Sequence, residues 1–384
     1  MKKVLLSVIT LLMISFGSSQ DFTTKWGNGY KLISSDVEHS LKFGGRIMYD
    51  YAIWNDSHET YSGTEFRRIR FFNSGKVYGN VKYKLQLDFA GGGVSLKDVY
   101  IETKLPFAGN IRVGHFKEPF RLEALTSSKY MTFMERGLPI AFSPERNVGF
   151  MFHDDIIDEK ISFQAGFFKE ASSGNDKQID NVNNLTTRLT FLPINDNNNL
   201  LHIGAGFSSR NSSDSTYSIS SRAENHLASK LINLELENVN RMNLIGGEFA
   251  FVKDAFSIQG EYILNSVDAS QTFDFSGYYG QVSYFLTGEN RKYKNSLSGF
   301  DRVRPKNNAK KNEGWGAFEI AARYSSIDLS DSQDGKLNDI TLGLNWYLNP
   351  CTRFMINYVL ANHVDYEENE TTENIFQLRM QIDF

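Results

Sequence analysis

The chain of 384 residues lacks long apolar runs. After the N-terminal segment, no run approaches the roughly 18 apolar residues that mark a membrane-spanning helix, so only a closed β-barrel could place the later chain in a bilayer. The single cysteine, Cys351, excludes an intramolecular disulfide and a cysteine-based metal cluster. A formal net charge of −4 is too small to indicate a nucleic-acid partner, and none is expected.

The N-terminal segment has the pattern of a secretory signal peptide. Two lysines follow the first methionine, an apolar stretch runs from Val4 to Phe16, and small residues from Gly17 to Ser19 form a signal peptidase site. The stretch is about 13 residues long, short of the ~20 that a spanning helix needs, so a permanent anchor is the weaker alternative. We expect residues 1–19 to be the signal peptide and residues 20–384 to form a single exported domain.

The remaining chain is dominated by runs in which apolar and polar residues alternate. In residues 79–90, the odd positions from Val81 to Phe89 are apolar and the even positions from Asn80 to Asp88 are polar. Period two is typical of a strand with one apolar face, and it occurs in soluble sandwiches as well as in membrane barrels. The number of runs, their length of about 10 residues and the polar loops between them favour the barrel.

The fold class predicted from these runs is all-β, a transmembrane antiparallel β-barrel of about 16 strands. The number is even, as bacterial barrels require, and a further run near 227–237 is assigned to a long loop because it would make the count odd. Connections at 117–146 and 209–242 are long and fall on the outer side, whereas the long connection at 288–314 falls on the periplasmic side, where short turns are the rule. The strands are expected near residues 41–54, 65–74, 79–90, 96–104, 110–116, 147–153, 160–168, 184–192, 200–208, 243–252, 256–265, 277–287, 315–325, 338–347, 353–362 and 374–384.

Function in a barrel of this size depends on the charges that line the channel. Strand parity turns Arg46, Arg68 and Arg70 inward, whereas Arg67 has the parity of the lipid face and must lie at the rim or at a bulge. Inward arginines suit an anion path because the guanidinium group is always charged and binds phosphate oxygens bidentately. Five more share the inward parity: Arg112, Arg188, Arg323, Arg353 and Arg379. The set could equally be ordinary lumen residues balanced by six acids: Asp50, Asp88, Glu102, Glu248, Glu261 and Asp383.

Several segments resemble the phosphate-selective porin O and P family. The most specific is G-H-F-K-E-P-F-R-L-E-A-L-T-S-S-K-Y-M-T-F-M-E-R-G-L-P at 114–139; others are F-R-R-I-R-F at 66–71, D-F-A-G-G-G-V-S-L-K-D-V-Y at 88–100, L-T-G-E-N-R-K-Y at 286–293 and L-G-L-N-W-Y-L-N at 342–349. The resemblance implies a sixteen-stranded, homotrimeric barrel of the Gram-negative outer membrane, in contact with its lipid. It also implies that the third outer loop, the fifth outer loop and one long periplasmic turn, here 117–146, 209–242 and 288–314, fold into the pore.

The resemblance further implies a channel for phosphate or other small anions, without a cofactor. In the family an arginine ladder leads to a constriction where arginines and a lysine meet the anion, and Arg46, Arg67, Arg68 and Lys117 match that pattern. Asp98 is a plausible acidic partner that limits the field. Together with loop arginines and the inward Arg70, they form the predicted anion-binding constriction: Arg46, Arg67, Arg68, Arg70, Asp98, Lys117, Arg121 and Arg136.

Other classes of function have weaker support in the sequence. No H-E-x-x-H or G-x-S-x-G motif points to an enzyme, and His153-Asp154-Asp155 falls in a predicted periplasmic turn, where a solvated cluster is commoner than a metal site. A general porin without phosphate selectivity and a plugged structural or adhesive barrel both stay open, as does the identity of the anion. The basic residues of 291–311 could guide anions at the exit or form a solvated turn.

Overall fold

The computed structural model describes residues 22–384 except 28, 56–58, 107–108, 171–183, 197, 213–214 and 333. The predicted signal peptide, residues 1–19, lies outside the described residues and stays a prediction. Within the described part, no helix is both long and apolar enough to cross a membrane.

Twenty-two strands make up the described chain, with one helical turn (Leu122–Leu125) and two 3₁₀ segments (Ala90–Gly92 and Leu138–Phe142) between them. In chain order the strands are β1 (Phe22–Trp26), β2 (Tyr30–Ser34), β3 (Ser40–Asn55), β4 (Thr60–Val77), β5 (Val81–Asp88), β6 (Ser95–Leu105), β7 (Gly109–Lys117), β8 (Arg146–Ile156), β9 (Ile161–Lys169), β10 (Asn184–Asn195), β11 (Asn199–Asn211), β12 (Thr216–Ser221), β13 (Ile232–Glu237), β14 (Arg241–Lys253), β15 (Phe256–Asp268), β16 (Thr272–Phe285), β17 (Tyr293–Asn295), β18 (Gly299–Phe300), β19 (Ala317–Asp328), β20 (Lys336–Asn349), β21 (Thr352–Val364) and β22 (Glu370–Asp383).

Sixteen of these strands form a closed antiparallel barrel: β3–β11, β14–β16 and β19–β22. The barrel closes where β22 pairs with β3, from Asn374 opposite Asn55 to Asp383 opposite Arg46. Each predicted run coincides with one of the sixteen strands, so the predicted fold class and strand number are confirmed. At the periplasmic end, β2 of an N-terminal hairpin pairs with the first residues of β3 and extends the sheet.

The run near residues 227–237, which the prediction assigned to a long loop, lies inside the barrel. It forms β13, which pairs with β12 in a separate hairpin and is not part of the wall, as predicted.

One predicted placement was wrong: His153, Asp154 and Asp155 belong to β8 because that strand continues to pair with β9 as far as Ile156. His153 is buried on the inner face, with Nε2 3.2 Å from Glu102 Oε2.

Inner and outer faces of the wall alternate as strand parity predicts. On β3, Ile47, Tyr49 and Ile53 are exposed on the outside, whereas Met48 and Asp50 are buried on the inside. The apolar outer face suits lipid, which offers no partner for polar groups.

A β-bulge on β4 interrupts this parity at Arg67. Met48 pairs with Arg68 and Tyr49 pairs with Phe66, so Arg67 is an extra residue between two regular pairs. Such a bulge redirects a side chain, and the Arg67 guanidinium lies inside the barrel beside Glu135. Of the two positions predicted for Arg67, the rim or a bulge, the structure confirms the bulge.

Loop 5, the segment between β11 and β14, folds into the lumen as the β12–β13 hairpin. Its Ile219, Ile232 and Leu234 pack against Leu138 and Phe142 of loop 3, the segment 118–145 between β7 and β8. Burial of this apolar surface fixes both loops against one side of the barrel. The same cluster includes inward-facing wall residues from β15 to β22: Ile263, Val267, Phe275, Ile327, Leu337, Val359, Ala361 and Ile375.

The periplasmic turn 288–314 also folds inward, as the β17–β18 hairpin. Phe300 packs against Leu122 in the helical turn of loop 3. Gly299 has a positive φ, and a side chain there would collide with Thr126, so only glycine allows the hairpin to approach loop 3 this closely. Loops 3 and 5 and this hairpin together fill a large part of the lumen.

Phe384 connects the last wall strand, β22, to the first wall strand, β3. We expect its deletion to lower the yield of folded barrel several-fold. Its backbone exchanges hydrogen bonds with Gly45 at 2.7 and 3.2 Å, and its ring covers the position where a Gly45 side chain would lie. The heat-modifiable band in outer-membrane fractions measures the yield; Phe256→Ala, an outward aromatic at the periplasmic end of β15, is the control. Equal yields would contradict the prediction.

Candidate functional site: a basic cavity in the barrel

A cavity of about 780 Å³ lies inside the barrel. The inner faces of β3–β8 form one wall, and loop 3, loop 5 and the β17–β18 hairpin form the other. The lining reaches from Arg222 and His226 of loop 5, on the outer side, to Lys42 and Lys294 towards the periplasm. The lumen is therefore divided into an open part along six strands and a packed part along the others.

The lining of the cavity is strongly basic, although the whole chain carries a net charge of −4. Fourteen lining residues are arginines or lysines and four are aspartates or glutamates. A cleft with low-dielectric walls concentrates the field of such charges and raises the local concentration of the opposite ion. The basic residues are Lys42, Arg46, Arg67, Arg68, Arg70, Lys84, Lys97, Arg112, Lys117, Lys129, Arg136, Arg146, Arg222 and Lys294; the acidic residues are Asp98, Glu135, Glu145 and Glu224.

Seven of the eight residues of the predicted constriction line this cavity: Arg46, Arg67, Arg68, Arg70, Asp98, Lys117 and Arg136. Arg121 lies elsewhere, because loop 3 leaves β7 and carries it across the lumen to β15. There its Nη2 is 2.7 Å from Glu261 Oε2 and its Nη1 is 2.9 Å from Ser143 Oγ. Arg121 is buried and anchors loop 3, so we leave it out of the anion path.

Arg67 and Arg68 approach the same carboxylate of loop 3. Glu135 accepts hydrogen bonds from Arg67 Nε at 2.8 Å and Nη2 at 3.0 Å, and its Oε1 lies 3.9 Å from Arg68 Nη1. Arg379 of β22 donates to Oε1 at 2.9 Å. Burial opposes ionisation of Glu135, but the three guanidinium groups outweigh it and hold the pKa of this carboxyl well below its usual range. The arginines therefore surround one permanent negative charge.

Three of the predicted cations, Arg46, Lys117 and Arg136, have no carboxylate oxygen within 4.0 Å in the part of the chain that the structure describes. Arg46 donates to the hydroxyls of Ser128 at 2.6 Å and Ser127 at 3.3 Å. Lys117 donates to the backbone oxygen of Ala124, and Arg136 Nε donates to that of Glu123 at 2.9 Å. These bonds orient the positive charges without neutralising them.

The six acids expected to balance inward arginines each have one arginine partner. The pairs are Asp50–Arg379, Asp88–Arg70, Glu102–Arg112, Glu248–Arg188, Glu261–Arg121 and Asp383–Arg302. Arg353 instead donates to the backbone oxygen of Met131 at 2.7 Å and holds loop 3. Balanced pairs thus account for many inward arginines, and a smaller set of unpaired cations faces the cavity.

Sequence reasoning missed several residues of the cavity. Lys84 and Arg146 bind the two oxygens of Asp98 at 2.5 and 2.7 Å, and the position of Lys84 on the polar face of 79–90 could have indicated it. Glu135 directly precedes Arg136 in the most specific motif. Lys129 belongs to that motif too: burial lowers its pKa to about 8, opposed in part by Asp383, so its charge is lost as the pH rises through that value.

Comparison with known proteins identifies the family of this barrel. The sequence pattern of the family described as "Phosphate-selective porin O and P" matches residues 41–384, from the start of β3 to the C-terminus. The chain belongs to that family. A porin of this family is an outer-membrane anion channel, and the closed sixteen-stranded barrel with a basic cavity is consistent with that function.

Individual relatives of this porin agree with the family assignment. Porin O of Pseudomonas aeruginosa is 27% identical over 392 residues, which cover 89% of this chain and 87% of the relative. Among solved structures, an anion-selective porin from Comamonas acidovorans superposes with a TM-score of 0.61 at 10% identity, covering 90% of this chain and all of that one. The trimer form of OmpT from Vibrio cholerae gives 0.54 at 12% identity, covering 90% and 99%. Likeness at this identity shows the barrel fold.

Proposed function

We propose that this porin conducts small anions, with phosphate as the leading candidate, and that the unpaired cations of the cavity make it selective. The observation that carries the proposal is the charge of the cavity lining, with fourteen basic and four acidic residues in a chain of net charge −4. Because the whole chain is slightly acidic, selectivity has to arise from where the charges lie.

The cavity offers a tetrahedral oxyanion several separate donors. Arg46 is the clearest, since its guanidinium lines the cavity, donates to the hydroxyls of Ser128 and Ser127, and has no carboxylate oxygen within 4.0 Å among the described residues. Arg68, Lys117 and Arg136 add positive charge along the same wall. Several weak sites in series allow an ion to enter and leave, whereas one strong site would hold it.

We also propose a homotrimer surrounded by outer-membrane lipid, with transport rather than catalysis as the role of the cavity. The trimer form of one structural neighbour supports the oligomeric state. The apolar outer face of the strands supports the contact with lipid.

Current measurements in planar bilayers test the proposed function. In a tenfold potassium chloride gradient the reversal potential should have the sign of anion preference, and added phosphate should inhibit the chloride current. If the trimer is the conducting unit, each inserted trimer should give three current steps of equal size. Cation preference would refute the proposal, absence of steps would indicate a plugged barrel, and anion preference without phosphate inhibition would favour a general anion porin.

A further inference from the structure

Glu135 occupies the point in the cavity wall where arginines converge. Its carboxylate accepts hydrogen bonds from Nε and Nη2 of Arg67 and from Arg379. Arg68 Nη1 lies 3.9 Å away from the same carboxylate. Asp50 already binds Arg379 through both oxygens at 2.6 Å, which neutralises that arginine. The carboxylate of Glu135 is therefore mainly the counter-charge of Arg67 and Arg68.

A carboxylate and a phosphate use the same donors. The planar guanidinium fork binds two oxygens of either group with parallel hydrogen bonds. With its side chain 16% exposed at the cavity, Glu135 holds the position that a solute oxyanion would take on the fork of Arg67.

Loop 3 also contacts the wall beside this carboxylate through its backbone. Beside it, the Met134 backbone nitrogen donates to Asn357 Oδ1 at 2.8 Å. At Glu135 itself, the backbone oxygen accepts a hydrogen bond from Arg323 Nη2 at 3.0 Å. Because these bonds position the backbone next to Glu135, we expect loop 3 to keep its path when the charge of the side chain is removed.

We propose that the Glu135 carboxylate is a built-in competitor for the anion site formed by Arg67 and Arg68. It makes solute oxyanions bind there weakly and leave quickly. This inference rests on the proposed function, because a competitor matters only if anions pass through the cavity. Among Arg67, Arg68, Arg379, Glu135 and Asp50, the net charge is one positive; without Glu135 it is two, on arginines that are already oriented.

The test is Glu135→Gln in the full-length porin, with phosphate inhibition of the chloride current as the readout. Glutamine keeps the size of the side chain and removes the charge. We expect the phosphate concentration that halves the chloride current to fall at least about tenfold, the ratio that corresponds to 1.4 kcal/mol. Conductance at saturating phosphate should also fall, because the bound oxyanion leaves more slowly.

The matched control is Glu145→Gln, which removes the same charge from the same cavity. Glu145 Oε2 lies 3.6 Å from Arg146 Nη1, away from the Arg67 fork. This variant reports the general field effect, and we expect its half-inhibitory phosphate concentration to stay within about threefold of the wild-type value, as expected for a partly screened charge.

The outcomes separate this inference from the proposed function. A wild-type pore without anion preference overturns the proposed function and the inference with it. An anion-preferring wild-type pore whose phosphate inhibition is unchanged in Glu135→Gln, or shifted only as far as in Glu145→Gln, overturns the inference alone. If Glu135→Gln yields no folded barrel, Glu135→Asp decides: its carboxylate is withdrawn by one methylene, so inhibition should strengthen by a smaller factor, and an unchanged value overturns the inference.

Discussion

Replacement of Arg68 and Lys117 together with alanine is expected to lower the anion-to-cation permeability ratio about sevenfold at 0.1 M salt. A unit charge about 7 Å from an ion changes its energy by roughly 0.6 kcal/mol in water, and screening over a Debye length of about 10 Å halves this. Two such charges act in opposite directions on anions and cations, so their effects on the ratio multiply. Reversal potentials in salt gradients measure the ratio, and the loss should be largest at low ionic strength.

The control for this variant changes the total charge equally without touching the cavity. Lys253 and Lys311 are both exposed and belong to the periplasmic side of the barrel. The double variant Lys253→Ala and Lys311→Ala should keep the wild-type reversal potential. If both double variants behave alike, selectivity does not arise from Arg68 and Lys117.

A second large effect is expected from Arg323→Ala, which should release loops 3 and 5 and widen the pore. Arg323 is buried, with Nε 3.0 Å from Glu224 of loop 5 and Nη1 3.3 Å from Glu123 of loop 3. Its removal leaves two buried carboxylates without their common partner, a loss of about 3–5 kcal/mol for a buried pair. Since two unpaired carboxylates are unfavourable inside the lumen, we expect the loops to move away from the wall, so that single-channel conductance rises and anion preference weakens.

Limited trypsin digestion provides an independent readout of the released loops, because loop 5 carries Lys230. The control is Lys336→Ala on the neighbouring strand β20, whose ion pair with Asp328 at 2.9 Å is largely exposed and is worth at most about 1 kcal/mol. Unchanged conductance and unchanged resistance to trypsin in Arg323→Ala would show that Arg323 does not hold the loops.

The wall of the barrel could be predicted from the sequence because lipid imposes one rule on every strand. Period-two alternation is repeated over some ten residues in each of sixteen runs, so a local irregularity does not hide it. Even the bulge at Arg67 appeared as a conflict of parity within F-R-R-I-R-F. Strand ends were less certain, as the placement of Asp154 and Asp155 shows, since pairing with β9 continues through polar residues beyond the apolar run.

The roles of individual arginines could not be predicted in the same way. Parity places Arg68 and Arg188 alike inside the barrel, but Arg188 binds Glu248 at 2.6 Å and only Arg68 faces the cavity. The difference depends on the path of the loops, which no period in the sequence encodes. Arg121 is the clearest case: it shares a motif with Lys117, yet the fold of loop 3 separates the two.

The sequence also contains a signal for the loops that fill the lumen, which the assignment of inward and outward residues by parity did not use. Consecutive apolar residues such as Tyr262-Ile263-Leu264 and Tyr358-Val359-Leu360-Ala361 make both faces of β15 and β21 apolar over these short segments. A strand that is apolar on both faces is covered on both, in this barrel by lipid outside and by the loop 5 cluster inside.

The division of the lumen into an open part and a packed part affects how substitutions can change the solutes that such a porin passes. In a uniform tube, every inward residue would influence both the rigidity of the barrel and the traffic through it. Here the apolar cluster along β14–β22 packs the loops against the wall, while the side chains along β3–β8 line the cavity that we propose as the path of the solute. Substitutions on those six strands can therefore alter the solute spectrum stepwise while the scaffold persists, which makes this wall the region to vary in a library of altered pores.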